Sequence, residues 1–584
     1  MDTGSSAAST GAGDSAGGLS LTTGTLVAAA LAVCVAQVAL AIPAVLNGLF
    51  QQDLGTSSSQ LTWISDAFLV PVTLLELTFG VLGDLFGRKR LLIFGAGIMA
   101  VGELVSVLTP GSGSSTDTRV AVLWIGQILA GIGAAALFPT TLAMIAAGTH
   151  TPQERGRAIA LWAAALSTGG FVSPVLGGLV AKLKFGSDPN ASWRWAFLAV
   201  MVLALVSLVV SARFARNSSA PEGRSLDWPG QFTIAIALFA LLFAIIQAPT
   251  SGWGSAEVVI GFVVAVVSFG LFIAAERRSR APLLRLELFA NRAFAVTAIV
   301  TVSGMFAMLG TAYATSVRLS SIQGFTPLKT SIAFLLLNGV CLVQVPLTIK
   351  MLPRVNPRWM LTAGFALIAI GDFWLSATTA ANTSLWPIVP PLALVGIGFA
   401  LSVSAVTSVA INAVPVGLAG MASGTTSLLR DFGFTLGPAI VGAVALSRAA
   451  SNINAKVAAS PALQKALNAF YAAPAHVPAA QKATVTAAVG AVKSGPLGQN
   501  AVPATVPNPI HPGAHPRPFN PLHTVAFHAL DHSYNIGYFV CGAAAAVSFL
   551  LAAVAISGRS DAVESGQAEA TVTGSAPVSP APVR

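Results

Sequence analysis

Gly80-Val-Leu-Gly-Asp84-Leu-Phe-Gly87-Arg88-Lys89-Arg90 joins an apolar run over 61–83 to a second over 91–109. Three glycines in this segment allow a tight turn and close approach of the flanking helices. The Asp84 carboxylate, at a water–lipid boundary, can pair with an arginine or with a helix N-terminus. Three consecutive basic residues directly after an apolar run hold that end in water, on the side where positive loops gather. The segment therefore reads as a hairpin between two membrane helices. A merely basic loop would leave the glycine and aspartate spacing unexplained.

The same alternation runs through the whole chain of 584 residues. Hydrophobic residues make up 54% and charged residues only 9%, with a mean hydropathy of +0.77, whereas a soluble domain carries about 25% charged residues. A membrane helix needs about 20 mostly apolar residues. Fourteen such runs occur, at about 24–46, 61–83, 91–109, 120–147, 157–181, 194–213, 229–247, 256–275, 293–317, 328–349, 359–378, 386–410, 420–446 and 534–557. Backbone polar groups have no water to bond inside lipid, so each run is expected to be a helix. The net charge of +10 does not indicate nucleic acid, because Lys and Arg are sparse and fall between the apolar runs. With both termini on the cytoplasmic side, eighteen basic residues lie in inner segments and five in short outer loops, as the positive-inside rule requires. An odd helix count would spoil that asymmetry. Cys34, Cys341 and Cys541 lie within apolar runs, which argues against a disulfide framework. The Ser/Gly/Ala-rich start lacks a basic leader and reads as a disordered tail. Residues 448–533 form a long outer segment rich in Ala and Pro, expected to be partly disordered, with room for short helices at 461–472 and 478–493.

The 80–90 segment resembles the loop 2–3 motif of the major facilitator superfamily, G-x-L-x-D-R-x-G-R-K-R, with Leu85 in place of the usual Arg. The resemblance extends to the 14-helix drug:proton antiporter branch through Trp193-Arg194-Trp195-Ala-Phe197, the 281–289 run Ala-Pro-Leu-Leu-Arg-Leu-Glu-Leu-Phe, Gln323-Gly324-Phe-Thr-Pro327, and Ala419-Gly420-Met-Ala422-Ser423-Gly424 leading into Arg430-Asp431-Phe-Gly433. Gly169-Gly170-Phe-Val-Ser173-Pro174-Val-Leu-Gly177-Gly178 looks like the branch's span 5 antiporter motif, with Ser173 replacing a Gly. Proline kinks a helix and small residues let it pack closely. These matches cover roughly 25–447 and 523–557. They imply an all-α polytopic fold of the major facilitator type, with 14 transmembrane helices arranged 6 + 2 + 6.

The implied organisation is a tail over 1–23, a first six-helix bundle over 24–213, an inserted pair with its linkers over 214–292, a second bundle over 293–557, and a tail over 558–584. Weak internal repetition agrees. Glu154-Arg155-Gly156-Arg157 before span 5 has a faint counterpart at Gly417–Met421, and Lys350–Arg358 sits where a second basic loop belongs. By resemblance, Gly80, Asp84, Gly87, Arg88, Lys89 and Arg90, with Glu154 and Arg157, form a gating cluster that latches the two bundles during alternating access.

Two expected charges are missing. The branch has an acid in span 1, where this chain has Ala39, and an arginine in span 4, where it has Gln127. Losing one alone would leave an unpaired charge in lipid, at about 2.5–3.5 kcal/mol; losing both is self-consistent, but removes the usual proton-coupling site from that location. Other acids fall inside spans: Asp66, Glu76, Glu103, Asp372 and Asp431. At about 1.5 Å per residue, Glu76 lies roughly 12 Å from Asp84, near mid-membrane, and Asp66 roughly 27 Å away, near the outer surface. Glu76 is the first candidate for proton coupling or for contact with a cationic substrate, and Asp431 the second. Arg430, adjacent to Asp431, is expected to cap or to pair across the bundle, because neighbouring residues do not share a helix face.

His511, His515, His528 and His532 lack the thiol or carboxylate company of a metal site, and no G-x-x-x-x-G-K-[ST] nucleotide motif occurs. The expectation is a secondary transporter without cofactor or metal, not an enzyme. Its place is the plasma membrane, with both termini cytoplasmic. It acts as a monomer in contact with lipid and does not bind nucleic acid. It exports lipophilic drug-like or natural-product compounds in exchange for protons. A single-metabolite exporter, an uncoupled facilitator and a non-transporting receptor are the other readings.

Overall fold

The computed structural model describes residues 21–149, 152–183, 189–219, 226–279, 282–351, 355–414, 419–465 and 523–555. Its helices follow the apolar runs. They are α1 (Thr23–Ala41), α2 (Pro43–Leu54), α3 (Ser58–Phe86), α4 (Arg88–Val107), α5 (Thr116–Gly148), α6 (Pro152–Leu183), α7 (Trp193–Phe214), α8 (Trp228–Ser251), α9 (Ala256–Arg278), α10 (Arg292–Val317), α11 (Pro327–Met351), α12 (Pro357–Ser376), α13 (Val389–Asn412), α14 (Ala419–Ala459) and α15 (His523–Ala555). Among the described residues there is no strand. Twelve helical stretches are long and apolar enough to cross a membrane, and α11 and α13 add shorter apolar cores. The chain is a multi-pass membrane protein.

Three boundaries differ from the sequence expectation. The first span is one crossing made of two helices, α1 and α2, broken at Ile42. Pro43 opens α2 and has no N–H to continue the ladder. The last two spans overshoot, because α14 runs to Ala459 and α15 starts at His523. Their extensions meet each other in a small cluster of Ile453, Ala526 and Ala529. This local packing holds helix beyond the apolar run. Residues 461–465 are helical; the rest of the expected 461–472 helix, the 478–493 helix, both tails, His511 and His515 lie outside the described residues.

Packing divides the helices into two six-helix halves, with α8 and α9 paired together at their side. The halves repeat each other. Gly95 and Gly102 on α4 lie against Gly133 and Gly126 on α5; Gly364 and Gly371 on α12 lie against Ser402 and Val395 on α13. Each glycine sits at the same distance from the start of its helix, Arg88 or Pro357. A Cβ on Gly102 would fall 2.3 Å from the Ala130 nitrogen, and one on Gly364 2.7 Å from the Gly398 carbonyl. Close helix crossing therefore demands glycine in both repeats. The same offset in numbering relates Asn47 to Ser316, and these two touch. The Asn47 amide donates to the Ser316 hydroxyl at 2.9 Å, and Ser316 donates to the Ala44 carbonyl. This bond joins the two halves at equivalent positions, as expected on a two-fold between repeats.

Two long seams complete the contact between halves, α3 against α14 and α6 against α11. The inserted helix α8 packs on both α3 and α14.

Candidate functional site: the seams between the halves

The α3–α14 seam is stitched by polar pairs spaced a helical turn apart. The Thr73 and Thr435 hydroxyls bond at 2.8 Å. One turn along, Glu76 on α3 meets Arg430 and Asp431 on α14. The Arg430 guanidinium lies 3.8 Å from Glu76 Oε1 and donates through Nε to Asp431 Oδ1 at 2.9 Å. Its second contact reaches Asp431 Oδ2 at 3.3 Å. Glu76 and Asp431 are buried, and Glu76 Oε2 has no partner. The structure thus gathers three sequence candidates from positions more than 350 residues apart into one cluster. It corrects one expectation. Arg430 does reach across the seam, yet it also pairs with its neighbour Asp431, because a long guanidinium side chain can fold back along the helix axis. With two acids and one base, the cluster is balanced when one carboxyl carries a proton. A buried charge is tolerated only when it is paired, so the triad suits uptake and release of a single proton.

The inserted helix supports this cluster, through a residue that the sequence did not single out. Gln231 on α8 donates to the Leu74 carbonyl and accepts from the Thr78 hydroxyl. It therefore clamps α3 on both sides of Glu76. Its signal in the sequence was only a polar residue in an apolar run.

On the other seam, the span 5 motif alternates between partners. A Cβ on Gly169 or Gly177 would strike Cys34 O at 2.4 Å or Val45 Cγ2 at 2.6 Å, within the first half. One on Gly178 would meet Ser331 Oγ at 2.7 Å and Leu328 Cα at 2.9 Å, on α11 of the second half. Pro174 lies inside α6, and Ser173 is fully buried. The small residues thus serve both the internal packing of one half and its contact with the other. Gly178→Leu is expected to reach the membrane but to lose about five- to a hundredfold of transport, because side-chain overpacking costs about 1–3 kcal/mol and here falls on the seam between the halves. Export assays normalised to protein in the membrane check this.

The residues of the 80–90 hairpin gather at one end of the first half. Gly87 has φ +101° and its missing side chain leaves room for Asn217, which would lie 2.7 Å from a Cβ; glycine is required there. Arg88 donates to Asp84 Oδ1 through NH2 at 2.7 Å and Nε at 3.1 Å. It also reaches the Ser218 hydroxyl at 3.3 Å, while the Lys89 amide donates to Asn217 Oδ1 at 3.1 Å. Arg88 thereby ties α3 and α4 to the segment leaving α7. Gly80 makes only ordinary contact with Pro139. Arg90, Glu154 and Arg157 are exposed.

At the opposite end, Trp193 and Arg194 acquire a role that the motif alone did not reveal. Asp53 accepts from Arg119 NH2 at 2.6 Å and from the Trp193 indole at 2.8 Å. Arg119 also donates to the Asp53 and Pro110 carbonyls, at 2.7 and 3.0 Å. Arg194 lies over the Trp193 ring and donates to Pro110 O.

The remaining candidates stand apart from these clusters. Ala39 is fully buried, and Gln127 donates to Ser106 at 3.0 Å. A neutral hydrogen bond occupies the place where the family resemblance expects an arginine. Asp66 and Glu103 are fully buried, with no partner on either carboxyl oxygen; Asp66 is therefore enclosed by protein despite its place toward the helix start. Cys34 and Cys541 are free. Among the described residues no three His, Cys, Asp or Glu converge as metal ligands.

Comparison with known proteins agrees with this architecture. The profile described as Major Facilitator Superfamily matches residues 27–438. The chain is 29% identical over 394 residues to the Multidrug resistance protein Stp of Mycobacterium tuberculosis, covering 68% of this chain and 70% of that one. It is 28% identical over 432 residues to the Tetracenomycin C resistance and export protein of Streptomyces glaucescens, covering 73% and 76%. In fold it is similar to a bacterial homologue of the human drug peptide transporters PepT1 and PepT2, with TM-score 0.52, 17% identity, and coverage of 94% of this chain and 99% of that chain. With a family match across most of its length and two repeated six-helix halves, this chain belongs to the Major Facilitator Superfamily and is a membrane transporter.

Proposed function

We propose that this transporter is a proton-driven exporter of lipophilic, drug-like compounds, working by alternating access between its two halves. The observation that carries the reading is the buried Glu76–Arg430–Asp431 cluster on the α3–α14 seam. A proton entering it changes the charge between surfaces that must separate and rejoin. Relatives named for multidrug resistance and for antibiotic export support the substrate class. The excess of basic residues in alternate loops supports a plasma-membrane orientation with both termini cytoplasmic. In that frame the 80–90 hairpin faces the cytoplasm, and the Asn47–Ser316 contact closes the outer side. Substrate would bind between the halves near the midplane. The protein works as a monomer surrounded by lipid, and the reading assigns it no covalent chemistry, cofactor, metal or nucleic acid.

A second reading, an uncoupled facilitator, draws on Ala39 and on the neutral Gln127–Ser106 bond. Everted membrane vesicles supplied with external ethidium discriminate between the two. The expected result is accumulation that collapses when the proton gradient is dissipated. Movement indifferent to the gradient would overturn proton coupling and favour the facilitator, and no movement of ethidium or of other lipophilic cations would overturn the substrate class.

A further inference from the structure

The repeat that pairs Gly95 with Gly364 and Gly102 with Gly371 also pairs the residues that follow. Glu103 in the first half corresponds to Asp372 in the second. Both are fully buried, and both keep carboxyl oxygens without partners: Oε1 and Oε2 of Glu103, Oδ2 of Asp372. An ionised carboxylate so enclosed is expensive, and two repeats each spend one acid at this position. Their surroundings differ in a way that decides what each can do.

Asp372 stands at the inner end of a polar seam formed by α10, α12 and α15. Thr311 donates to Asp372 Oδ1 at 2.6 Å. One turn along α10, about 6 Å away by helix rise, Thr315 bonds the Tyr538 hydroxyl at 3.0 Å. The Arg318 guanidinium lies 5.9 Å from the centre of the Tyr538 ring. Its NH1 donates to Thr378 at 2.8 Å and approaches Asn535 Oδ1 at 3.5 Å. Thr378 and Asn535 are half-buried, and the neighbouring Thr379, bonded to Asp531, is exposed. Polar side chains, Thr378, Arg318, Tyr538, Thr315 and Thr311, thus line the way from the bundle end to the acid, with Arg318 meeting Tyr538 at its ring and Thr315 one helical turn from Thr311. Arg318 itself is buried, with Nε unpartnered. Other titratable groups facing this seam are Tyr534, Tyr538 and Cys541 from α15 and Tyr313 from α10; α13, on the far side of α12, has no titratable side chain over Val389–Asn412.

Glu103 has no hydroxyl donor on either oxygen, although the Gln127–Ser106 bond lies one turn along α4. The position equivalent to Thr311 is Ile42, which is apolar and fully buried. A hard metal cation is the wrong ligand for the Asp372 site, because it needs six or more oxygens and here one carboxyl and one hydroxyl stand beside a guanidinium seam.

We propose that Asp372 is a second proton-binding site, filled and emptied from the Thr378 end through the Arg318, Tyr538 and Thr315 seam, and that Glu103 is its sealed counterpart. The inference deepens the proton-driven reading and rests on it for its use in transport. Infrared difference spectroscopy of the purified full chain in liposomes, stepped from acidic to alkaline buffer, reads it without substrate or gradient. The C=O stretch of protonated carboxyls is expected to contain a component that vanishes on alkalinisation. Asp372→Asn should remove that component and Glu103→Gln should leave it. Tyr538→Phe should slow its disappearance at least about tenfold, the loss expected when one positioned relay is removed. Thr311→Val, which deletes only the hydrogen bond, should shift its frequency and serves if Asp372→Asn accumulates poorly. A pH-dependent component unchanged by both Asp372→Asn and Thr311→Val, or one removed by Glu103→Gln, overturns the assignment. A wild-type component in protein that fails to move ethidium overturns the export reading while leaving this site standing.

Discussion

Arg430→Ala is expected to abolish gradient-driven export, lowering initial rates at least about a hundredfold. The arginine is the single cation between Glu76 and Asp431, at 3.8 and 2.9 Å. Removing one partner of a buried charge pair costs about 3–5 kcal/mol. At 1.4 kcal/mol per tenfold change in proton occupancy, that is two or more powers of ten. The two acids then stay neutral together, and no proton leaves on the side where release drives the cycle. Glu76→Gln should act differently, because the amide keeps the size and hydrogen-bonding capacity of the acid but cannot titrate. It should uncouple, so that ethidium moves down its own gradient and ignores the imposed proton gradient. Both are measured in everted vesicles at matched protein levels. Wild-type gradient dependence in either variant would remove the cluster from the coupling path.

Asp53→Ala is expected to give the largest loss of stability, about 3–5 kcal/mol for the stranded Arg119. The Trp193 indole, deprived of its acceptor, adds about 1–3 kcal/mol. The reason is topological. Asp53 ends α2, Arg119 begins α5 and Trp193 begins α7, so one carboxylate fastens three segments of the first half, and Arg119 extends the hold to Pro110 in the α4–α5 turn. Phe50 and Phe197 pack on the same indole at 5.4 and 5.8 Å between ring centroids. Unfolding in a denaturing-detergent titration should shift accordingly. The double variant Asp53→Leu with Arg119→Leu should be milder than Asp53→Ala, because no buried charge is left unpaired. Equal or additive losses would show that the cluster acts by packing and not by charge pairing.

Much of this was legible in the residues. The fourteen runs matched the helices within a few residues, except where Pro43 interrupts the first and where α14 and α15 outrun their apolar stretches by packing on each other. The glycine and charge spacing of 80–90 correctly marked a helix junction, and Gly87 proves indispensable there. Glu76 and Asp431 were legible as candidates because an acid in an apolar run is costly wherever it points. The direction of Arg430 was only half legible, since face periodicity does not describe a side chain long enough to bend along the axis. Gln231, the Asp53–Arg119–Trp193 lock and the Glu103–Asp372 correspondence were not recognised, although Gly-x6-Gly followed by an acid stands twice in the chain.

By itself the sequence determined that this protein crosses the membrane many times, that its helices fall into a 6 + 2 + 6 order, and that it resembles one transporter family. The first follows from local physics, since a run of about 20 apolar residues must be helical in lipid and loop charge orients it; the other two rest on the motifs that carry the family resemblance. Only the tertiary structure decided which polar groups meet. Successive residues turn by about 100° around a helix, so an uncertainty of one residue in rotation sends a carboxylate to lipid or to a partner. The meeting of Glu76 with Arg430 depends on the rotation of two helices far apart in the chain, and close packing of the repeated halves fixes both.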